Sequence, residues 1–375
     1  MRIAVNARFL LKDKLEGIGW FTYEVVQRLT QRHPEHEFIL FFDRLYHASF
    51  VFNKNVMPVV LPPPARHPLL WWWWFEISIP KALKKYKADV FLSPDGYCSL
   101  RTKTPTVMVT HDIAYVHTPA YMSALMYRYF QYFVPKFMQR AERIVTVSEY
   151  SKQDILQHFK LLPEKVTVAY NGCRTVFQPL HSTAKKEIQT KYAAGQDYFF
   201  YVGAVHPRKN VHRLIQAFDQ FKIQTQSPIK LLIGGRFAWQ TGEVKDAYEQ
   251  AYFKNDIQLL GYVSDAELPL LTGGALALVY VSLFEGFGVP LLEAMNCDVP
   301  IITSNVTSLP EVAGDAALLV NPYDVNEIAK AMQALHENPA LRQHLIAKGK
   351  IQRKKFTWEK AADVVWESLK SGSEP

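Results

Sequence analysis

The sequence has few cysteines and no long apolar run. Its three cysteines, Cys98, Cys173 and Cys297, are far apart in a chain of 375 residues, and none belongs to a Cys-x-x-Cys pair. Such sparse cysteines are typical of reduced thiols in a cytoplasmic protein rather than of a disulfide framework. No apolar window approaches the roughly 18 residues that cross a bilayer, and the chain starts with a strand-like run, MRIAVNARFL, instead of a signal peptide. We therefore expect a cytoplasmic protein that is not an integral membrane protein.

Motifs for metal and nucleophilic catalysis are also absent. The sequence has no Asp-x-Asp pair, no His-Glu-x-x-His, no Gly-x-Ser-x-Gly and no Walker A motif, and its 12 histidines are not clustered at metal-ligand spacings. We therefore expect neither a metal nor a cofactor. The 43 Lys plus Arg against 35 Asp plus Glu give a net charge of +8, which suits anionic partners without selecting among phosphates, nucleic acid and a membrane surface.

Short apolar runs alternate with amphipathic stretches, and this alternation occurs twice. Runs such as EFILFF and PTVMVT in the first half, and YFFYVG and LALVYVS in the second, are typical of strands buried on both faces of a parallel sheet. A chain of 375 residues predicts two such α/β domains. A turn-rich, charged stretch at 171–196 marks the boundary, so we predict domains at 1–180 and 181–355, followed by an amphipathic helix at 356–375.

The strongest indication of a ligand site is EGFGVPLLE at 285–293, directly after the strand LALVYVS. Gly286 and Gly288 permit close approach of the backbone to a ligand, and the proline suits the first turn of a helix whose amides bind anions. Glu285 and Glu293 flank this turn and are able to accept hydrogen bonds from sugar or ribose hydroxyls. The alternative is an ordinary loop with a capping carboxylate.

A second indication is the Arg-Lys pair in YVGAVHPRKNVHRLIQAF at 201–218. Gly203 ends a strand, and Arg208 and Lys209 stand before a helix for which Asn210 is a natural N-cap. The two charges and the helix dipole point to one place, where a pyrophosphate would meet a guanidinium fork and an ammonium. This arrangement would stabilise a departing nucleoside diphosphate without metal, whereas the alternative is a charge pair on a solvated loop.

Two further candidate positions lie in the first half. His111 follows the strand PTVMV and is suited to donate to a sugar hydroxyl or to act as acid or base, although a histidine at a strand end is often structural. Gly17 and Gly19 precede a helix, but Thr22 replaces the third glycine of a dinucleotide-binding fingerprint. The glycine pair is therefore weak evidence alone and gains weight only from the other motifs.

Together these motifs resemble those of the family-four (group 1) retaining glycosyltransferases, which use nucleotide sugars. The resemblance covers nearly the whole chain. It implies the α/β GT-B architecture, in which two Rossmann-like domains face each other across a cleft and a C-terminal helix returns to the acceptor-side N-terminal domain. The matching segments are GIG at 17–19, HDIAY at 111–115, VSEYSK at 147–152, NG at 171–172, GAVHPRKN at 203–210, LGYVSDAEL at 260–268, the two glutamates of 285–293, and FTWEKAA at 356–362.

The resemblance also implies a role for each matching residue. Glu285 would contact the donor sugar, Glu293 the ribose, and Arg208 and Lys209 the diphosphate, while His111 would line the sugar site. The other donor-binding positions would be Gly17, Gly19, Gly203, Val263 near the base, Gly286, Phe287, Gly288 and Val289. Many family members have an arginine directly after the glycine that opens the Arg-Lys motif, where this chain has Ala204. Arg208 would then supply more of the charge that holds the phosphates.

We therefore expect an enzyme that transfers a hexose, such as mannose or glucose, from a nucleoside-diphosphate sugar to a glycan or lipid-linked acceptor in cell-surface polysaccharide synthesis. The family implies retention of anomeric configuration by front-face displacement, with catalysis by positioning and charge stabilisation. The alternatives are a non-catalytic module that binds nucleotide sugars or glycans, and a sugar-nucleotide epimerase. No motif supports binding of nucleic acid.

The most unusual segment is HPLLWWWWFEISIPKALKKYKADVF at 67–91, in which Trp71–Trp74 precede four lysines. Indoles favour the boundary between apolar and wet surroundings, so this basic, aromatic segment predicts contact with an anionic membrane at its inner face. The alternative is that the tryptophans pack in the core of the domain. Because four consecutive positions cannot all face one way, we expect at least one indole to be exposed or to line a groove.

Overall fold

In the computed structural model, which describes residues 1–236 and 242–373, the chain forms two compact α/β units. The first unit contains residues 1–171 and the C-terminal segment from Thr357, and the second contains residues 172–356. Residues 172–180, which the sequence assigned to the N-terminal domain, fall in the second unit. The last two positions of the predicted C-terminal helix, 374 and 375, lie outside the described residues.

The first unit is built on a seven-stranded parallel sheet with the strand order β3-β2-β1-β4-β5-β6-β7. Its strands are β1 (Arg2–Asn6), β2 (Glu37–Phe42), β3 (Val56–Val60), β4 (Val90–Ser93), β5 (Thr106–Val109), β6 (Arg143–Thr146) and β7 (Val166–Val168). Its helices are α1 (Gly17–Arg32), α2 (Pro68–Trp73), α3 (Ile79–Tyr86), α4 (Ala114–His117), α5 (Ala124–Arg140) and α6 (Glu149–Phe159), together with α15 (Trp358–Ser373), and a π-helical turn (Trp74–Ser78) joins α2 to α3.

The C-terminal helix α15 is part of the first unit. Its residues Trp358, Ala361, Val365 and Leu369 recur at helical spacing and are all buried. On the polar side, α15 is tied to α1 by two ion pairs, Arg28 with Glu359 at 2.9 Å and Arg32 with Asp363 at 2.5 Å. The ring of Trp366 stacks on that of His33 with centroids 3.6 Å apart. The helix α15 thus packs into the core of the first unit beside α1.

The second unit is built on a six-stranded parallel sheet with the strand order β10-β9-β8-β11-β12-β13. Its strands are β8 (Tyr198–Val202), β9 (Lys230–Gly234), β10 (Ile257–Gly261), β11 (Ala277–Tyr280), β12 (Ile301–Ser304) and β13 (Ala317–Val320). Its helices are α7 (Ser182–Ala193), α8 (Val211–Thr225), α9 (Gly242–Gln250), α10 (Leu268–Gly274), α11 (Val289–Asn296), α12 (Leu309–Ala313), α13 (Val325–Glu337) and α14 (Pro339–Gln352).

Both sheets are parallel and have the doubly wound strand order of a Rossmann-like domain, so the predicted fold class of two such domains is confirmed. In such sheets ligands bind beyond the carboxyl ends of the strands where the strand order reverses. That point lies between β1 and β4 in the first unit and between β8 and β11 in the second. The Arg-Lys motif follows β8 and the glutamate–glycine motif follows β11. Among the described residues, no helix combines the length and hydropathy that a membrane span requires.

Close approach of two glycine backbones shapes this end of the second sheet. Gly203 and Gly235 follow the neighbouring strands β8 and β9, and both have a φ of +152°. A Cβ atom on Gly235 would lie 1.7 Å from the carbonyl oxygen of Gly203. Because the obstacle is backbone rather than a flexible side chain, only glycine fits there.

We expect Gly235→Ala to lower the free energy of unfolding by about 3 kcal/mol or more, at the upper end of overpacking penalties. Urea unfolding followed by far-UV circular dichroism measures this change. Gly242→Ala is the matched control, since a Cβ there meets nothing within 4 Å. Equal urea midpoints for Gly235→Ala and the control would contradict this packing.

Candidate active site

A buried carboxylate lies between two cations where β8 and β11 end. Glu285 follows β11 and is 7% exposed, and Arg208 and Lys209 lie on a 3-10 turn (Pro207–Lys209) that follows β8. The Lys209 Nζ atom is 2.5 Å from Glu285 Oε1, and Arg208 Nη1 is 3.2 Å from Glu285 Oε2. The hydroxyl of Tyr280 donates to Glu285 Oε1 at 2.8 Å and accepts from Lys209 Nζ at 2.8 Å. The structure therefore brings three predicted site residues into direct contact.

The electrostatics of this cluster keep the carboxylate ionised. Burial alone would raise the pKa of the Glu285 carboxyl, but the charges of Lys209 and Arg208 outweigh burial and lower this pKa to about 2. Two cations face one anion, so the cluster carries a formal surplus of one positive charge. Such a site suits an anionic ligand whose hydroxyl groups donate to the carboxylate.

The loop after β12 holds the turn that carries Glu285. The Thr307 Oγ1 atom accepts a hydrogen bond from the Glu285 amide at 3.3 Å, and Ser308 Oγ donates to the carbonyl oxygens of Glu285 at 2.9 Å and Phe287 at 3.1 Å. Gly288 has a φ of +103°, and a Cβ there would lie 2.7 Å from Leu309 Cδ2. The turn thus has a fixed shape, and it leads directly into α11.

Asn210 does not cap α8 as the sequence predicts. It stands at the N-cap position, but its backbone is left-handed with a φ of 61° and its side chain makes no capping hydrogen bond. Instead its Nδ2 atom donates to the carbonyl oxygens of Val281 at 3.0 Å and Pro322 at 2.7 Å. Asn210 therefore ties the turn that carries Lys209 to the end of β11.

A second buried carboxylate, Glu293 on α11, meets an arginine that the sequence motifs did not indicate. The Arg174 side chain is 10% exposed and places Nη2 3.3 Å from Glu293 Oε1 and Nη1 2.8 Å from Asp265 Oδ1. Burial raises the pKa of the Glu293 carboxyl to about 7, although Arg174 opposes this shift. Asp265 belongs to the loop after β10 that also contains Val263, the residue predicted to lie near the base. Arg174 therefore connects this loop to Glu293, the residue predicted to bind the ribose.

The other predicted positions of the second unit lie at the same end of the sheet. The predicted Gly203 and Val263 follow β8 and β10, which flank β9, and a Cβ on Gly234 at the end of β9 would lie 2.8 Å from Val263 Cγ2. The turn formed by Gly286, Phe287 and Gly288 is buried and leads to Val289, the first residue of α11. Ala204 is exposed. These placements are compatible with the predicted roles, which stay predictions.

In the first unit, the predicted His111 contacts α1, the helix that begins at the predicted Gly17. The His111 Nε2 atom lies 3.1 Å from the Pro94 carbonyl oxygen, which only accepts, and burial lowers the pKa of this imidazole. Its ring contacts that of Phe21 on α1 edge to face at 5.1 Å. Gly17 begins α1 in open space, whereas a Cβ on Gly19 would lie 2.8 Å from the Phe9 carbonyl oxygen.

The strand ends β1 and β4 of the first unit hold a buried ion pair that the sequence motifs missed. Arg8 Nε lies 2.5 Å from Asp95 Oδ2, and Asn6 Nδ2 donates to the same oxygen at 2.7 Å. The Arg8 guanidinium lies 4.5 Å from the ring centroid of Tyr97. The partners are more than eighty positions apart in sequence, so no local motif indicates the pair. The one feature of the sequence that could have pointed to it is that these residues follow two central strands.

Comparison with known proteins gives consistent matches over most of the chain. Residues 183–352 match the family model of glycosyl transferases group 1, and residues 15–177 match that of glycosyltransferase family 4. The O-antigen chain mannosyltransferase B of Escherichia coli is 33% identical over 368 residues, which cover 93% of this chain and 94% of that protein. The O-antigen chain mannosyltransferase RfbU of Salmonella typhimurium is 31% identical over 240 residues, 64% of this chain and 62% of that protein.

Solved structures share the fold at lower identity. HepE of Anabaena, determined in complex with UDP-glucose, is 17% identical with a TM-score of 0.76 and matches 99% of this chain and 100% of that chain. WaaG, a glycosyltransferase involved in lipopolysaccharide biosynthesis, is 16% identical with a TM-score of 0.76 and matches 97% of this chain and 99% of that chain. These likenesses concern the fold and confirm the predicted GT-B class.

The pKa of Glu293 gives a testable pH dependence. On the predicted ribose contact of Glu293, we expect the affinity for a nucleotide sugar to rise about threefold to tenfold as the pH rises through about 7, because an ionised carboxyl accepts a hydrogen bond more strongly. Isothermal titration between pH 5.5 and 8.5 measures this step, and a nucleotide sugar is a suitable ligand because its phosphate diester does not titrate in that range.

Two variants identify the titrating group. Glu293→Gln should remove the step, and Arg174→Gln should move it to higher pH, because the guanidinium lowers the pKa of the Glu293 carboxyl. A step of unchanged size and midpoint in Glu293→Gln would assign the titration to another group.

Proposed function

This chain belongs to the group 1 glycosyltransferases, and we propose that it transfers a hexose from a nucleoside-diphosphate sugar to a glycan or lipid-linked acceptor, with retention of configuration and without a metal. The observation that carries the proposal is the contact of Glu285 with Lys209 and Arg208 at the strand-order reversal of the second sheet. The names of the two O-antigen mannosyltransferase relatives favour mannose as the sugar and a growing surface polysaccharide as the acceptor.

The charges of the cluster suit the two ends of the donor. The cations of Arg208 and Lys209 would hold the diphosphate, and the ionised Glu285 would accept hydrogen bonds from the sugar hydroxyls. When the glycosidic bond breaks, negative charge develops on the leaving diphosphate. A preorganised cationic pair stabilises that charge without reorganisation, which is a large contribution in sites of this kind.

The properties of Glu285 argue against a covalent intermediate on that residue. Two cations and the Tyr280 hydroxyl engage its carboxylate, and its pKa of about 2 makes it a weak nucleophile. We therefore favour a front-face displacement, in which the leaving diphosphate accepts the proton of the acceptor hydroxyl while that oxygen attacks the anomeric carbon from the same face. Retention follows because the new bond forms on the side that the diphosphate leaves.

The roles of the remaining predicted residues are part of the same proposal. Glu293, positioned by Arg174, would hold the ribose, the turn at 286–289 would bind phosphate through its backbone, and Gly203 and Val263 would lie beside the nucleotide. In the first unit, Gly17, Gly19 and His111 would contribute to the sugar and phosphate sites. A lipid-linked acceptor would require the protein to work at the cytoplasmic, anionic face of a membrane.

We expect Glu285→Gln and Lys209→Met each to lower the transfer rate at least about a hundredfold, as does loss of one charge-stabilising group in other enzymes. The readout is release of nucleoside diphosphate from a panel of nucleotide sugars in the presence of acceptor glycan. Lys350→Gln is the matched control. It breaks an ion pair outside this cluster, in which Lys350 Nζ lies 3.0 Å from Asp298 Oδ2. Wild-type rates in both site variants, with melting temperatures unchanged, would remove these residues from the reaction.

The product and the metal requirement test the mechanism separately. We expect proton NMR of the first-formed product to show the same anomeric configuration as the donor, because attack and departure occur on one face. Activity should be unchanged after dialysis against EDTA, because the cationic pair supplies the charge that a divalent ion supplies elsewhere. An inverted product would rule out front-face displacement, and loss of activity that Mg²⁺ or Mn²⁺ restores would rule out a metal-free reaction.

A further inference from the structure

One segment of the first unit, residues 45–88, combines exposed apolar side chains with exposed lysines. Between residues 45 and 88 the chain has six Lys or Arg residues and one acidic residue, Glu76. Glu76 is buried, and it accepts a hydrogen bond from the Leu100 amide at 3.0 Å. The surface of this segment is therefore positive, and four of its lysines, Lys81, Lys84, Lys85 and Lys87, are exposed within α3 and directly after it.

The apolar part of this surface comes from the edge strand β3 and from α2. Met57 and Val60 of β3 are each 39% exposed, while Leu69 and Trp73 of α2 are 72% and 49% exposed. Between β3 and the helical segment lies a cavity of about 380 Å³ whose lining includes Val60, Leu61, Trp73, Ile77, Lys81 and Lys85. We call this surface, made by Met57, Val60, Leu69, Leu70 and Trp73 together with Lys81, Lys84 and Lys85, the Trp73 face.

The four consecutive tryptophans divide between core and surface. Trp74 is fully buried and donates to the Leu61 carbonyl at 3.0 Å, and Trp71 donates to the Ala65 carbonyl at 2.9 Å and packs against the aromatic core. Trp72 is half-buried beside the Arg101 guanidinium. Trp73 is exposed, as the sequence predicts for at least one of them. Core packing thus accounts for Trp71 and Trp74 but not for Trp73.

Helical spacing places the apolar and basic parts of the Trp73 face in one line. Trp73, Ile77, Lys81 and Lys85 recur every four residues along α2, the π-helical turn and α3, and all four line the same cavity. An indole with leucine neighbours enters the boundary region of a bilayer, while lysines reach lipid phosphates with their ammonium groups and keep their methylene stems on apolar surface. This line of residues therefore offers both an apolar side chain for the boundary region and ammonium groups for the lipid phosphates.

We propose that the Trp73 face docks the protein on an anionic lipid bilayer as a peripheral contact. The proposal rests on the proposed function, because a lipid-linked acceptor lies in such a bilayer. The composition favours lipid over a protein partner, since protein interfaces are depleted in lysine whereas lysines of one sign bind acidic lipid surfaces. The face lies at β3, the edge strand, three positions along the sheet from β4, so its residues are separate from His111 after β5.

Co-flotation of the full chain with vesicles tests the docking. We expect binding to phosphatidylcholine vesicles that contain 30% phosphatidylglycerol at low salt, and weak binding to phosphatidylcholine alone. The triple variant Lys81→Glu, Lys84→Glu, Lys85→Glu should lower the partition coefficient at least about tenfold. The matched control is Lys186→Glu, Lys245→Glu, Lys330→Glu, which makes the same charge change at exposed helical lysines of the second unit and should bind like the wild type.

Trp73 itself is tested by a separate pair of variants. Trp73→Ser should weaken binding to anionic vesicles, whereas Tyr252→Ser, at a tyrosine that is 82% exposed in the second unit, should not. Brominated lipids should quench tryptophan fluorescence in the wild type and less in Trp73→Phe. Absence of flotation, equal loss in the two lysine triples, or unchanged quenching in Trp73→Phe would overturn the docking face.

Transfer to a soluble acceptor glycan, measured on the same variants, separates this proposal from the proposed function. The Trp73-face variants should keep the wild-type rate with a soluble acceptor, since none of these residues belongs to the candidate active site. Flotation without transferase activity would contradict the proposed function alone. Transferase activity without flotation would contradict the docking face alone.

Discussion

The ion pair of Glu285 with Lys209 and Arg208 constrains the ligand end of the second sheet. A charge buried without its partner destabilises a protein by about 3–5 kcal/mol, so the turn after β8 and the turn after β11 must fold against each other. The Tyr280 hydroxyl bridges Lys209 and Glu285. Asn210 fixes the turn after β8 to the end of β11. The interaction that stabilises these turns also leaves the positive charge that a diphosphate needs.

Backbone approach at glycines makes this arrangement possible. Gly203 and Gly235 bring the ends of β8 and β9 together, and Gly288 lets the turn before α11 pass close to Leu309. None of these contacts involves a charged group, yet each sets the distance at which the charged side chains meet. Substitutions at such glycines would change the distances within the site without changing any charged side chain of the cluster.

The sequence predicts the fold, and it places the members of the central cluster directly after two strands, because both inferences depend on local patterns. Buried parallel strands have recognisable apolar runs, and strand order places the segments after β8 and β11 side by side. Arg174 and Asp95 escaped prediction for a physical reason. Their partners are distant in sequence or lie on another strand, so only the folded chain shows that Arg174 meets Glu293 or that Asp95 meets Arg8. Asn210 shows the same limit, since a left-handed φ is not evident from an asparagine before a helix.

The net charge is +8, and the structure shows two kinds of cation, those buried against carboxylates and those exposed on the surface. Arg8, Arg174, Arg208 and Lys209 are largely buried and face carboxylates. By contrast, the segment from 45 to 88 has six Lys or Arg residues against one buried Glu, a surplus of five that accounts for most of the net charge. Exposed charges are screened over roughly 8–10 Å at physiological salt, whereas buried pairs are screened much less. The composition therefore could not select a partner, because the cations proposed to act on the donor contribute little to the excess, whereas the segment from 45 to 88, which contains the Trp73 face, contributes most of it.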